Sequence, residues 1–156
     1  MYSLDDLDRR IMLLFAAEPR IGVLEASRRL GVARGTVQAR LDRLEAAGVI
    51  TGWAPSVDPV ALGFPVAAFA TLEITQGRGH GRVAEYLREI PEVLEAHTIT
   101  GAADMMVRLV ARSNADLQRV IDQVVSSPDV ERASSVIVLA TEIPLRVTPL
   151  VSVDNP

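Results

Sequence analysis

Between Val49 and Pro65 the chain reads VITGWAPSVDPVALGFP, with three prolines and two glycines. Proline lacks the backbone donor that helices and inner strands require, and glycine weakens both. No regular element can run through such a stretch. Before it, apolar residues recur at helical spacing; after it, alternating and helical spacings take turns. This break forces an α+β chain of two units. The expected division is a helical domain over 1–52, a linker strand over 53–65, a mixed domain over 66–145 and a tail over 146–156. A short strand at Val49–Trp53 is expected to lead into the linker.

The first half predicts three helices. Ser3 is the expected N-cap of the first, with Asp5 and Asp6 in its positive first turn. Leu7, Ile11, Leu14 and Phe15 make its apolar face. Pro19 ends it. A second helix covers about Val23–Leu30, and Gly31 can take the left-handed conformation that closes it. A third starts near Ala33 or Arg34, buries Val37, Leu41 and Leu44, and stops at Gly48. Two helices joined by the tight LGVA turn form a helix-turn-helix, here of a winged-helix-like kind.

From Val66 the order is strand, helix, strand, twice. VAAFATLEIT alternates like a strand, and Val83, Leu87 and Ile90 mark a helix. Strands follow at Val93–Thr100 and in DMMVRLVA. Ser113-x-x-Asp116 resembles a capping box before the stripe Leu117, Val120, Ile121, Val124 and Val125. A last strand is expected at Ser134–Ile143. PEVLEA (Pro91–Ala96) and PDVERA (Pro128–Ala133) echo each other, each between a helix and a strand. The βαββαβ order predicts a ferredoxin-like antiparallel sheet with both helices on one face. Phe69, Met106, Val110, Ile137 and Leu139 are assigned to the bare face, where a second subunit is the natural cover. The hydrophobic fraction of 49% also points to an oligomer, because large exposed apolar patches are rare on monomers.

Charge is distributed unevenly. The total is −4, yet Arg20–Ile50 holds six arginines against Glu25, Asp42 and Glu45. That window carries net +3, so the remainder carries −7. A basic patch on a helix-turn-helix points to double-stranded DNA, because the second helix enters the major groove and its first residues reach base edges. Arg34, Gly35, Thr36 and Gln38 lie outward at that end. Arg pairs with guanine, Gln with adenine, and Gly35 permits close backbone approach. Arg20, Arg28, Arg29, Arg40 and Arg43 are assigned to phosphates, which fix register without reading sequence. The alternative is a solvated face in which Arg40 or Arg43 pairs with an acid such as Glu45. Ala33, at the N-cap of the reading helix, offers no side-chain oxygen.

Other chemistry finds no support. The chain has no cysteine, and no nucleophile is paired with a base. His80 and His97 have no ligand-spaced partner, so neither metal nor cofactor is expected. QGRGHGR (Gln76–Arg82) can cradle an anion but lacks a dinucleotide spacing. No apolar run is long enough for a membrane span and no leader pattern opens the chain. A cytoplasmic non-enzyme is the expectation.

The stretch LDRRIMLLFAAEPRIGVLEASRRLGVARGTVQARLDRLEAAGVITGW resembles the Lrp/AsnC family, the leucine- and asparagine-responsive feast/famine regulators. The resemblance continues through VDPVALGF, PEVLEAHTITGAADMMVRLVA and PDVERASSVIVL. It implies a helix-turn-helix joined to a ferredoxin-like effector and oligomerisation domain, dimers that assemble into octamers, and amino-acid effectors bound between subunits. The family's ligand loop, Gly-Asp-Tyr-Asp, corresponds here to Gly101, Ala102, Ala103 and Asp104. Gly101 and Asp104 match; the two alanines leave a larger, more apolar space. Asp104 would receive an ammonium group, and Thr98, Thr100, Ser134 and Ser135 are candidate hydroxyl donors. Ala33, where the family has serine, is a second departure. Two other readings remain. Siroheme decarboxylases resemble the same family, with His97 beside Arg108 as the residues in question. A nonspecific DNA-organising protein would keep the charge and lose the sequence preference.

Overall fold

A computed structural model describes residues 2–75 and 80–153. Three helices, α1 (Asp6–Ala17), α2 (Val23–Leu30) and α3 (Arg34–Ala46), come first. Then follow β1 (Val66–Ile74), α4 (His80–Arg88), β2 (Val93–Thr98), β3 (Met105–Ala111), α5 (Asn114–Val125), β4 (Val130–Ile137) and the one-turn α6 (Thr148–Val151). They divide into two compact units. The first holds the residues up to Pro55 together with those from Ile143 onward, and the second spans Ser56–Glu142.

In the first unit, Ile11, Phe15, Ala26, Val37 and Leu41 form the core. Two glycines set the helix ends. Gly31 (φ 70°) lets Val32 N–H reach Ser27 O at 3.1 Å, and Gly48 (φ 68°) lets Val49 N–H reach Leu44 O at 2.9 Å. Both are the six-to-one closures of a left-handed helix stop. The cap of α1 is Asp5 rather than Ser3: Asp8 N–H donates to Asp5 Oδ1 at 2.8 Å, and Asp5 N–H to Asp8 Oδ2 at 3.4 Å. A reciprocal pair of carboxylates satisfies two orphan donors, which a lone hydroxyl two residues earlier cannot do. Val49–Trp53 is not a strand: Val49 and Ile50 bend back so that both N–H groups donate to Leu44 O, and no regular element follows through Trp53. Trp53 instead packs edge-on against Phe15, 5.5 Å between centroids, and donates Nε1–H to Glu45. The tail from Ile143 returns to this unit. Val151 is buried, and Arg9 Nη1 donates to the carbonyls of Val151 (2.7 Å) and Val153 (2.9 Å).

The second unit is a ferredoxin-like antiparallel sheet in the order β2-β3-β1-β4. Ala68, Ala70, Leu72 and Ile74 of β1 and Met105, Val107 and Leu109 of β3 share one face. Val83 and Leu87 of α4 and Leu117, Val120 and Val124 of α5 pack onto it. Ser113 caps α5 by accepting from Asp116 N–H, but Asp116 accepts from Arg112 N–H, one residue before the cap. The last strand starts at Val130, four residues earlier than expected, because Val130 already pairs with Ile74 across a bulge.

Register also corrects the bare face. Phe69 lies opposite Val136, whereas Ile137 lies opposite Ala68 and so faces the helices. Directly opposed residues of an antiparallel pair point the same way. The bare face therefore carries Phe69, Thr71, Met106, Ser134 and Val136, with Arg108, Glu95 and His97 toward β2. Val110, opposite Ala67, lies on the bare face as expected although it is buried, and Leu139 lies beyond the end of β4 and is exposed.

Candidate functional site

The helix-turn-helix sets the geometry of the arginine window. Val37, Leu41 and Leu44 bury one face of α3, which leaves Arg34, Gly35, Thr36 and Gln38 exposed at its start. Arg34 and Thr36 have no side-chain partner among the described residues, while Gln38 Nε2 donates to Asp42 at 2.7 Å. A Cβ added at Gly35 would meet nothing within 4 Å, so packing within the chain does not require glycine there. Ala33 has extended N-cap geometry (φ −65°, ψ 147°) without a side-chain cap.

The remaining arginines divide. Arg20 is exposed and has no partner among the described residues. Arg28 lies 3.6 Å from Glu25, and Arg29 bridges Glu25 and Glu18; all are exposed pairs that solvent screens. Arg40 and Arg43 pair with neither Asp42 nor Glu45. Arg40 Nη1 donates to Asp5 and, at 2.9 Å, to Asp8, and Arg43 Nη2 donates to Asp8 at 2.8 Å. Asp8 is fully buried. The hydrogen bond from Arg40, then that from Asp8 N–H, lowers the Asp5 pKa below its ordinary 3.8. Asp5 in turn raises that of Arg40.

Asp8 was not among the residues singled out from sequence, yet a signal was present. Asp8, Ile11 and Phe15, the buried residues of α1, stand at i, i+3 and i+7 on its apolar stripe. A charge on such a stripe demands a partner.

The predicted effector residues are only partly gathered. Asp104 Oδ2 accepts Ile74 N–H at 2.7 Å, its own N–H donates to Leu72 O, and its carbonyl accepts Ile99 N–H. These bonds close the loop in which Thr100, Gly101 (φ 125°), Ala102 and Ala103 sit. Thr98 lies opposite Met105 on β2, facing the helix side. Ser134 and Ser135 lie on β4 and face opposite sides of the sheet. Strands β2 and β4 are the two edges, with β3 and β1 between them. At about 4.8 Å per strand, roughly 14 Å separates the edges. One chain does not bring Thr98 and the two serines to one small ligand.

On the bare face Arg108 Nη1 donates to Glu95 at 3.4 Å, and His97 Nε2 lies 3.6 Å from the same carboxylate. Four residues of the QGRGHGR loop, 76–79, lie outside the described residues. Among the described residues no cluster of acids and histidines could hold a metal, and no helix is long and apolar enough to cross a membrane.

Residues 67–147 match the Lrp/AsnC ligand binding domain, and residues 4–51 match a winged helix-turn-helix DNA-binding domain. The chain is 32% identical to the HTH-type transcriptional regulator FL11 of Pyrococcus furiosus, over 92% of this chain and 97% of that one. It is 34% identical to the HTH-type transcriptional regulator Rv2324 of Mycobacterium tuberculosis, over 90% and 95%. Among solved structures, Escherichia coli AsnC superposes with a TM-score of 0.87 at 28% identity, covering 95% of this chain and all of that one. The feast or famine regulatory protein Rv3291c of M. tuberculosis, complexed with L-methionine, gives 0.83 at 27%, over 93% and 98%.

Two outcomes are expected. Ala33→Ser supplies the absent N-cap oxygen to α3 and raises unfolding free energy by about 1 kcal/mol in a denaturant titration. A depressed carboxylate pKa gives stability that is complete above the unfolded value and is lost as pH falls through the folded one. Asp5→Asn keeps a capping oxygen but removes that titration. Its melting temperature should lie below wild type at neutral pH, and the gap should close as pH falls below about 4.

Proposed function

The chain belongs to the Lrp/AsnC family, and from that premise we propose a cytoplasmic, sequence-specific DNA-binding transcriptional regulator that responds to an amino-acid effector. The observation that carries this reading is the start of α3, where Arg34, Gly35, Thr36 and Gln38 are all exposed. Arg34 reads guanine and Gln38 reads adenine or, through Asp42, is held in one rotamer. Arg20, Arg28 and Arg29 contact phosphates, exchanging weak solvent-screened pairs for stronger ones. Arg34 and Gly35 contribute first-turn N–H groups that favour an anion. The acidic remainder of the chain repels stray phosphate and sharpens the approach to this one surface.

Assembly follows from exposed apolar area. Phe69, Val136, Leu139 and Leu145 are all exposed in the single chain, and a second copy is the cover we infer. The unit of assembly is a dimer that builds to an octamer, with paired reading helices set about 34–36 Å apart on a near-palindromic site. The same assembly answers the separation of Thr98 from Ser134 and Ser135. Loop residues Gly101–Asp104 of one protomer and the edge serines of another would enclose the effector between them. Loop amides hold its carboxylate, and the free oxygen of Asp104 receives its ammonium. Methionine, bound by the relative of known structure, suits the apolar space that Ala102 and Ala103 leave. Effector binding shifts the assembly by its differential affinity for two states.

Arg34→Ala and Gln38→Ala should each cost on the order of 1–3 kcal/mol at one base position and relax preference there, scored by binding-site selection from random duplexes. Unchanged preference in both variants removes α3 as the reading element. Calorimetry against the common amino acids, starting with methionine, should give a binding isotherm that Asp104→Ala abolishes. Binding that survives the substitution unchanged places the effector elsewhere.

A further inference from the structure

We propose that Asp8 is a positioning residue for DNA reading: it fixes the rotational setting of α3 and keeps Arg40 and Arg43 off the phosphates. The inference rests on the reading of α3 as the recognition helix. Asp8 lies on α1 and is fully buried. Its carboxylate accepts from Arg40 Nη1 (2.9 Å), from Arg43 Nη2 at both oxygens (2.8 and 3.1 Å), from Tyr2 Oη (3.4 Å) and from Asp5 N–H (3.4 Å). These contacts occupy its acceptor positions, which number about four in a carboxylate. The Tyr2 ring covers the Arg43 guanidinium at 5.6 Å.

The placement of the two arginines gives the contact its consequence. Arg40 and Arg43 stand three residues apart on α3, one above the other on the same side. Fastening a rod at two such points by one rigid anion opposes both rotation about its axis and sliding along it. A rotation by one residue, about 100° in an α-helix, would replace the Arg34, Thr36 and Gln38 set with a different face. Apolar packing of Val37, Leu41 and Leu44 presses α3 against its neighbours but, being non-directional, sets its rotation less sharply.

The charge account follows from the same contacts. Arg40 and Arg43 face Asp5 and Asp8, two cations against two anions, so this quartet adds no net attraction for phosphate. The affinity that is independent of sequence then comes from the other arginines of the window. An extra phosphate contact steepens the dependence of log K on log salt by about 0.9 for duplex DNA. Asp8 thus trades nonspecific affinity for discrimination.

The test uses the full-length protein, the duplex chosen by site selection, and a random duplex. Asp8→Asn keeps the shape and one acceptor but removes the charge. We expect its salt slope on random duplex to steepen by about one, since a guanidinium is freed, and its ratio of specific to random affinity to fall at least tenfold. Arg43→Gln, at a half-exposed position, serves if Asp8→Asn fails to fold. Its salt slope should stay at the wild-type value while the ratio falls severalfold. Restoring local neutrality in Asp8→Asn with Arg43→Gln should return the slope to wild type and leave the ratio low, because two-point anchoring is still lost. A folded Asp8→Asn protein with unchanged slope or unchanged ratio overturns the inference. So does an Arg43→Gln slope flattened by about one at constant ratio, which would place Arg43 on a phosphate. Failure of wild type to select any sequence defeats the reading of α3 itself, a distinct result.

Discussion

In the helix-turn-helix unit one buried carboxylate, that of Asp8, joins α1 to α3. Asp8 sits where an apolar side chain would otherwise complete the α1 stripe, and it survives there because two guanidiniums from α3 reach it. An isolated buried ion would be very costly. Once paired and hydrogen-bonded, it becomes directional, which hydrophobic contact is not. It also lies beside Arg9, which grips the returning tail at Val151 and Val153. Consecutive residues of one helix therefore fasten α3 and the C-terminal segment.

In the second unit, strand register plays the corresponding part. Pairing of Ala68 with Ile137 and of Phe69 with Val136 decides which residues meet the helices and which meet water. A shift by one position would exchange the two sets completely. The outcome is a bare face with an apolar middle and a charged side where Glu95 pairs with Arg108 beside His97. The candidate effector residues are distributed over both sheet edges and the β2–β3 loop. Asp104 is partly spent closing that loop, since Ile74 N–H already takes one of its oxygens.

Much of the architecture is legible in the sequence alone. Helical spacing marked Ile11, Phe15, Val37 and Leu41, and glycine marked the stops at Gly31 and Gly48, because both signals arise from local geometry. The βαββαβ order followed from alternating periods for the same reason. The misread details are those that need a distant partner. Asp5 displaced Ser3 as cap through Asp8; Val49–Trp53 had no strand to pair with; Ile137 changed face through its register with Ala68. Arg40 and Arg43, assigned from sequence to phosphates, show their acidic partners only when α1 is laid beside α3.

The amino-acid sequence by itself determined the helix-turn-helix with its arginine window and the order of strands and helices in the sheet, since hydrophobic period and turn chemistry act over a few residues. Only the tertiary structure decided which arginines are committed and which stand open, and which side of the sheet is bare. Ion pairs and strand pairs join residues far apart in the chain, and nothing in local spacing says which acid an arginine will meet.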